Sequence, residues 1–253
     1  MANRLLGVIS ALPEEFAHLS DQSGQSSDIG GLAFWRGQIA GREAVFVESG
    51  PGKVNAGIAT TLLLDRFGCR ALMLCGVAGG LDPALGVGDV VIANSNIQHD
   101  FGLEKEDGFV HVQSGSRPSL GGDWTPGYRV SDELVARLQA AVKGLTLDPL
   151  PSTVGDAPRT PAVHFGAILT GDSFVNSERT RRRLREQFGA HAVEMEGGAV
   201  AQVARRWGDD IPVVNVRCLS DLAGAESHLD FRAFLPVASR YASKVAHRLA
   251  PVI

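Results

Sequence analysis

Short apolar runs rich in branched residues alternate along the chain with stretches in which apolar residues recur every three or four positions. The first pattern is that of buried strands and the second that of helices with one covered face. Leu5 to Ala11, bounded by Pro13, predicts a buried first strand. Gly31–Ile39 and Ala44–Glu48, joined across Gly41, predict a hairpin, and Gly50-Pro51-Gly52 then breaks the chain. The spacing predicts a helix over Val54–Phe67 that buries Ile58, Leu62 and Leu63. Ala71–Cys75 is a strand ending in a turn at Gly76-Val77-Ala78-Gly79-Gly80, and Asp89–Ala93 is another. Gln98 to Tyr128, rich in Gly, Ser and Pro, reads as one long loop, a feature that compact domains keep for a use.

Ser131–Val142 follows as a helix with a polar N-cap. Ala167–Leu169 is a strand ending at Thr170-Gly171-Asp172. Helices are expected around Ser177–Phe188 and Glu196–Trp207, separated by the short run Ala192-Val193. Ile211–Leu219 is a near-continuous apolar strand. The last helix, Phe231–Leu249, carries Phe234, Leu235, Ala238, Tyr241, Ala242 and Val245 on one stripe. Strands alternating with helices imply an α/β protein: a single domain over 1–253, with a central mixed, largely parallel sheet flanked by helices.

Composition narrows this little. The formal net charge of −4 over 253 residues suggests neither a nucleic-acid surface nor an anionic membrane as partner. Arg179, Arg181, Arg182, Arg183 and Arg185, set among Glu178 and Glu186, read as a solvated helix face. Neither a signal peptide nor a membrane-spanning run is expected, and Cys69, Cys75 and Cys218 read as reduced core residues, so the expected location is cytoplasmic. Val47 stands where a Walker A loop ending at Gly52-Lys53 needs its first glycine. Gly76–Gly80 lacks the dinucleotide spacing, and no G-x-S-x-G elbow occurs. The histidines are scattered; no metal and no cofactor is expected.

What remains is acidic residues at predicted strand ends, where open α/β sheets build their sites. They are Glu14 and Glu15, Asp172, Glu194 and Glu196, and Asp221 behind Ser220. Each alone reads equally well as a surface carboxylate or a helix N-cap; four such clusters together point to a site.

Several segments resemble the nucleoside phosphorylase/nucleosidase superfamily in order and spacing. They are Ala11-Leu12-Pro13-Glu14-Glu15, Ser49 to Asn55, Gly76 to Leu81, Gly171 to Asn176, Val193-Glu194-Met195-Glu196, Ser220-Asp221 and Ser227 to Phe231. The nearest branch is that of the 5′-methylthioadenosine/S-adenosylhomocysteine nucleosidases. The resemblance implies cleavage of a purine N-glycosidic bond, with a purine nucleoside as partner. Asp221, oriented by Ser220, would protonate N7 of the base. Glu196 would accept the ribose hydroxyls with Glu194 in support, and Met195 would pack under the sugar. Phe174 would stack on the base, whose edge the Val175 backbone would read. Leu12, Pro51 and Phe231 would line a pocket for an apolar 5′ group, completed by the loop after His99-Asp100 of a neighbouring subunit, which implies a homodimer. On pattern alone Phe174 and Val175 read as core, and Met195 equally so.

The same resemblance implies water rather than phosphate as nucleophile. Glu15 stands where the nucleosidases place their general base, and Leu72, Met73 and Leu74 fill the strand where a phosphorylase carries an arginine. Val77 departs from the serine or threonine usual there. A phosphate-dependent phosphorylase and a non-catalytic purine-binding protein are the alternatives.

Overall fold

The computed structural model describes residues 4–19, 26–115, 126–151, 159–208, 210–224 and 227–253, with the side chains of 227–230 outside the described set. At the centre of the sheet lies β1 (Leu6–Ser10), buried along its whole length. It pairs in parallel with β4 (Arg42–Glu48) on one side and β5 (Ala71–Gly80) on the other. Beyond β4 the antiparallel strands β3 (Leu32–Ile39) and β2 (Ser26–Ile29) complete that wing.

On the other side, β12 (Val213–Asp221) lies parallel to β5 and antiparallel to β6 (Val90–Gln98). Strand β6 continues in parallel to β10 (Val163–Thr170), and β10 to β11 (Ala192–Glu194). Two residues of β11 then pair back onto Gly79 and Gly80 of β5, so β5, β12, β6, β10 and β11 close into a ring. Closure removes the exposed edge that an open sheet would leave there. A two-residue strand, β9 (Tyr128–Arg129), adds to β6.

Side chains of a strand alternate between faces, and the two faces of β1 feed separate cores. Leu6 and Val8 join the cluster containing Ala238, Ala242 and Val245 of α6 (Ser227–Leu249), with Leu134 and Leu138 of α3 (Asp132–Val142). Ile9 joins the cluster of Ala59 and Leu63 from α2 (Lys53–Asp65) and Val200 from α5 (Gly197–Trp207). The expected stripe of α6 is buried throughout. The result is a single α/β domain with a mixed sheet flanked by helices; its central pairs are parallel.

Several local expectations change. Helix α2 buries Ala56, Ala59, Thr60, Leu63 and Leu64, leaving Ile58 47% exposed and Val54 73% exposed. The side of α2 that meets α5 includes Gly57, where a Cβ would lie 4.0 Å from Val203 Cγ2. The expected turn at Gly76–Gly80 is the second half of β5, made possible because its neighbours β12 and β11 supply hydrogen bonds to that stretch. The long loop is largely structured too: β6 runs to Gln98, and β7 (Gly102–Lys105) pairs with β8 (Gly108–His111) around the exposed turn at Glu106-Asp107. Residues 116–125 of that stretch lie outside the described set.

The arginine-rich helix α4 (Glu178–Phe188) is only partly a solvated face. Arg181 donates to the Gly80 carbonyl, and Arg185 pairs with Asp82 at 2.7 Å. The three cysteines are free and buried.

Candidate active site

Immediately after β1, Leu12 and the four-residue helix α1 (Pro13–Phe16) turn Glu15 inward while Glu14 stays exposed. Glu15 Oε2 accepts the amides of Ala11 at 2.8 Å and Leu12 at 3.0 Å, and Oε1 accepts that of Val77 at 3.0 Å. Three amides orient the carboxylate without neutralising it. Burial raises its pKa, opposed by the charge of Arg217 and by the three amides. Gly76 has to be glycine here, because a Cβ would lie 2.4 Å from Glu15 Oε1 and 2.7 Å from Arg217 Nη1.

Facing Glu15 are groups delivered by β11 and β12. Glu194 ends β11, buried, with both oxygens on the amide of Gly197 and with the Thr170 hydroxyl donating to it. Glu196 caps α5; its Oε1 accepts the Gly52 amide at 2.8 Å and its Oε2 the Arg217 Nη2 at 3.2 Å. Gly52 reaches that position with φ of 99°, a left-handed conformation that favours glycine. Desolvation outweighs the pull of Arg217, and with Glu194 close by the Glu196 carboxyl is pushed up to about 7. Arg217 itself is fully buried in β12; its Nη2 also pairs with Glu194 and its Nη1 donates to the Val77 carbonyl at 3.3 Å. At the end of β12, Asp221 Oδ2 accepts the Ser220 hydroxyl at 3.0 Å and Oδ1 the Ala223 amide at 2.8 Å.

These groups wall a cavity of about 280 Å³, close to the few hundred cubic ångströms of small-molecule sites. All twelve sequence-predicted residues line it: Leu12, Glu15, Pro51, Val77, Phe174, Val175, Glu194, Met195, Glu196, Ser220, Asp221 and Phe231. At its rim the rings of Phe174 and Phe231 meet edge to face, centroids 5.7 Å apart, and Phe174 is 47% exposed rather than core. Asp172 is absent from the wall. It accepts the Lys53 amide at 2.9 Å and, with Asp100 and the Lys53 ammonium, ties α2 to the ends of β6 and β10. Ser227 to Asp230, part of the sequence resemblance, have side chains outside the described set.

Sequence reading missed Arg217. The signal was present: an arginine inside an otherwise apolar strand is buried and needs anionic partners. Chemically, the cavity combines a deep carboxylate at Glu15, an acidic pair bridged by a guanidinium, and a separate Ser-Asp pair across from them. Such a set can activate water, hold hydroxyls and donate a proton to a bound base. Among the described residues, no group of three His, Cys, Asp or Glu side chains could hold a metal ion.

The fold and this cavity define the class: the chain belongs to the phosphorylase superfamily, whose family model matches residues 5–251. Within it, the chain is 42% identical over 250 residues to the 5′-methylthioadenosine/S-adenosylhomocysteine nucleosidase of Mycobacterium bovis, covering 98% of this chain and 97% of that one. A solved nucleosidase of the same name from S. pneumoniae, with a transition-state inhibitor, superposes with TM-score 0.77 at 31% identity, over 97% of each chain. The futalosine hydrolase of Helicobacter pylori superposes with TM-score 0.81 at 26% identity, over 99% of this chain and 98% of that one.

Proposed function

We propose that this protein hydrolyses the N-glycosidic bond of 5′-methylthioadenosine and S-adenosylhomocysteine, releasing adenine and the free thio-substituted ribose. The observation that carries the choice of water is the charge of the cavity. Among the described residues Arg217 is the one guanidinium in its wall, and Glu194 and Glu196 already share its Nη2, with Glu15 beside them. Three carboxylates around one arginine repel a phosphate dianion. The same carboxylates favour the cationic sugar of the transition state.

In this reading Glu15, anchored by the Val77 amide, is the base that takes a proton from water. Asp221, steadied by Ser220, protonates N7 of the leaving purine. Glu196 accepts the ribose hydroxyls and Glu194 fixes Arg217 beside it. Met195 underlies the sugar, Phe174 and Val175 meet the base, and Leu12, Pro51 and Phe231 enclose an apolar 5′ group. The test is to follow adenine release with and without millimolar phosphate and to analyse the sugar. Unchanged rates and free pentose are expected; strict phosphate dependence with a pentose 1-phosphate product overturns the hydrolase.

Replacing Glu196 with glutamine is expected to lower kcat/KM on the ribonucleoside by roughly 10-fold or more, since a charged acceptor binds hydroxyls more strongly than a neutral one. A 2′-deoxy substrate loses most of that sensitivity. Equal losses on both substrates remove Glu196 from the sugar site. Because its carboxyl titrates near pH 7, the ribose contacts of the wild type weaken as pH falls through that value.

We further propose that the single domain over 1–253 works in the cytoplasm as a homodimer. The outward row of Val54 and Ile58 on α2 supports this, as apolar side chains four residues apart share one helix face. Sedimentation at micromolar concentration should give a dimer, and Ile58→Asp should shift it toward monomer; a fully active wild-type monomer contradicts the assembly. Among the described residues, no helix is long and apolar enough to cross a membrane.

A further inference from the structure

Arg217 is held from behind as well as in front. Its Nε donates to Asn215 Oδ1 at 2.9 Å, and Asn215 Nδ2 donates to Asn96 Oδ1 at 2.9 Å. Both amides are buried, Asn215 completely. Asn215 and Arg217 share one face of β12, and Asn96 belongs to the adjacent antiparallel strand β6. Buried amides in the interior of a strand ring are costly where apolar side chains would pack without penalty. The helix above also makes room for them: a Cβ on Gly197, the first residue of α5, would lie 2.2 Å from Asn215 Nδ2 and 3.0 Å from Asn96 Oδ1.

Chemistry fixes the orientation of both amides. An arginine Nε–H can only donate, so Asn215 must turn its oxygen to Arg217 and its nitrogen to Asn96, which must then present oxygen. With Nη2 on Glu194 and Glu196 and Nη1 on Val77, the guanidinium is pinned at all three nitrogens. Nη1 also lies beside Glu15: a Cβ on Gly76 would sit 2.7 Å from it and 2.4 Å from Glu15 Oε1.

We propose that Asn215 and Asn96 are positioning residues that hold the plane of the Arg217 fork, so that it bridges Glu194 and Glu196 at once and keeps Nη1 beside Glu15. This rests on the nucleosidase reading. The charged and titratable groups facing the guanidinium are Glu194 at the end of β11, Glu196 at the N-cap of α5, Glu15 from α1 and Cys75 from β5. Released from its Nε anchor, the fork can turn wholly onto Glu194 and leave Glu196 and Glu15 less neutralised.

The experiment is Asn215→Leu, which removes the amide and keeps its branched shape. It is expected to lower kcat by about 10- to 100-fold, the loss appropriate to one hydrogen bond to a charged group, with KM for 5′-methylthioadenosine little changed. The acid limb of the kcat profile should move to higher pH, because the attraction of Arg217 lowers the pKa of both Glu15 and Glu196. In an Arg217→Lys background, which has no Nε–H, the same substitution should cost little more. Wild-type kcat and acid limb in Asn215→Leu overturn the proposal, and so does a full repeat of the loss in the Lys background, which marks a packing role. If Asn215→Leu does not fold, Asn96→Ala, which frees the far end of Asn215, is read by the same criteria. A wild-type enzyme that releases no adenine overturns the nucleosidase reading, and the positioning role with it.

Discussion

Replacing Asp221 with asparagine is expected to stop adenine release while leaving the fold intact. The bonds to Ser220 and Ala223 survive the change: the amide oxygen can keep the Ala223 N–H, and the amide nitrogen can donate to Ser220 Oγ, which still has the Ala78 carbonyl as an acceptor at 3.4 Å. The melting temperature should therefore move little. What is lost is the proton, and general acid catalysis is typically worth about 10²–10⁴-fold. A riboside whose leaving group departs as a stabilised anion, such as nitrophenolate, needs no such proton and should lose far less. Near wild-type kcat on 5′-methylthioadenosine, or equal losses on the two substrates, would remove Asp221 from the role of acid.

The second large effect is expected at Glu15. Its pocket offers three backbone N–H donors to two acceptor oxygens. In Glu15→Gln the amide oxygen can keep the donors of Ala11 and Leu12, but the amide nitrogen then faces the Val77 N–H with nothing to accept it. The variant loses both the base and one hydrogen bond, so kcat should fall by about 10²–10⁴-fold while substrate still binds. Burial raises the pKa of Glu15, so its base form is lost at a higher pH than that of an ordinary carboxylate. Activity of the wild type should accordingly decline as pH falls, before ordinary surface carboxylates titrate. Retained turnover in Glu15→Gln, or an acid limb at the ordinary carboxylate value, speaks against this residue as the base.

Most elements were legible because burial and periodicity coincide in them. The run Leu5–Ala11 is apolar on both faces since two cores flank β1, and the α6 stripe repeats at helical spacing against one of them. Residues 76–80 were misread because glycine locally signals a turn. Here it signals close approach, of Glu15 and Arg217 to Gly76 and of Asp221 to Gly79. On helix α2 size was taken for burial at one position: Leu63 is buried as expected, but Ile58 faces outward while the small Ala56 and Ala59 are buried. The cavity wall could be assembled from motif segments that end strands. Arg217 carries a local signal, a charge inside an apolar strand, but Asn215 and Asn96 do not: they act across β12 and β6, and no local pattern reports a partner on another strand.

Closure of the five-strand ring fixes where the cavity can yield. Glu194 and Asp221 end strands that are paired on both sides, β11 between β10 and β5, and β12 between β5 and β6. Freeing either carboxylate requires breaking the ladder, so the amides around it should exchange with solvent only through the largest opening of the molecule. Leu12, Gly50-Pro51-Gly52 and Ser173-Phe174 belong to no strand of the ring. Exchange there should be faster by orders of magnitude, and a substrate enters through that softer side while the proton donor and the sugar-facing carboxylates stay still.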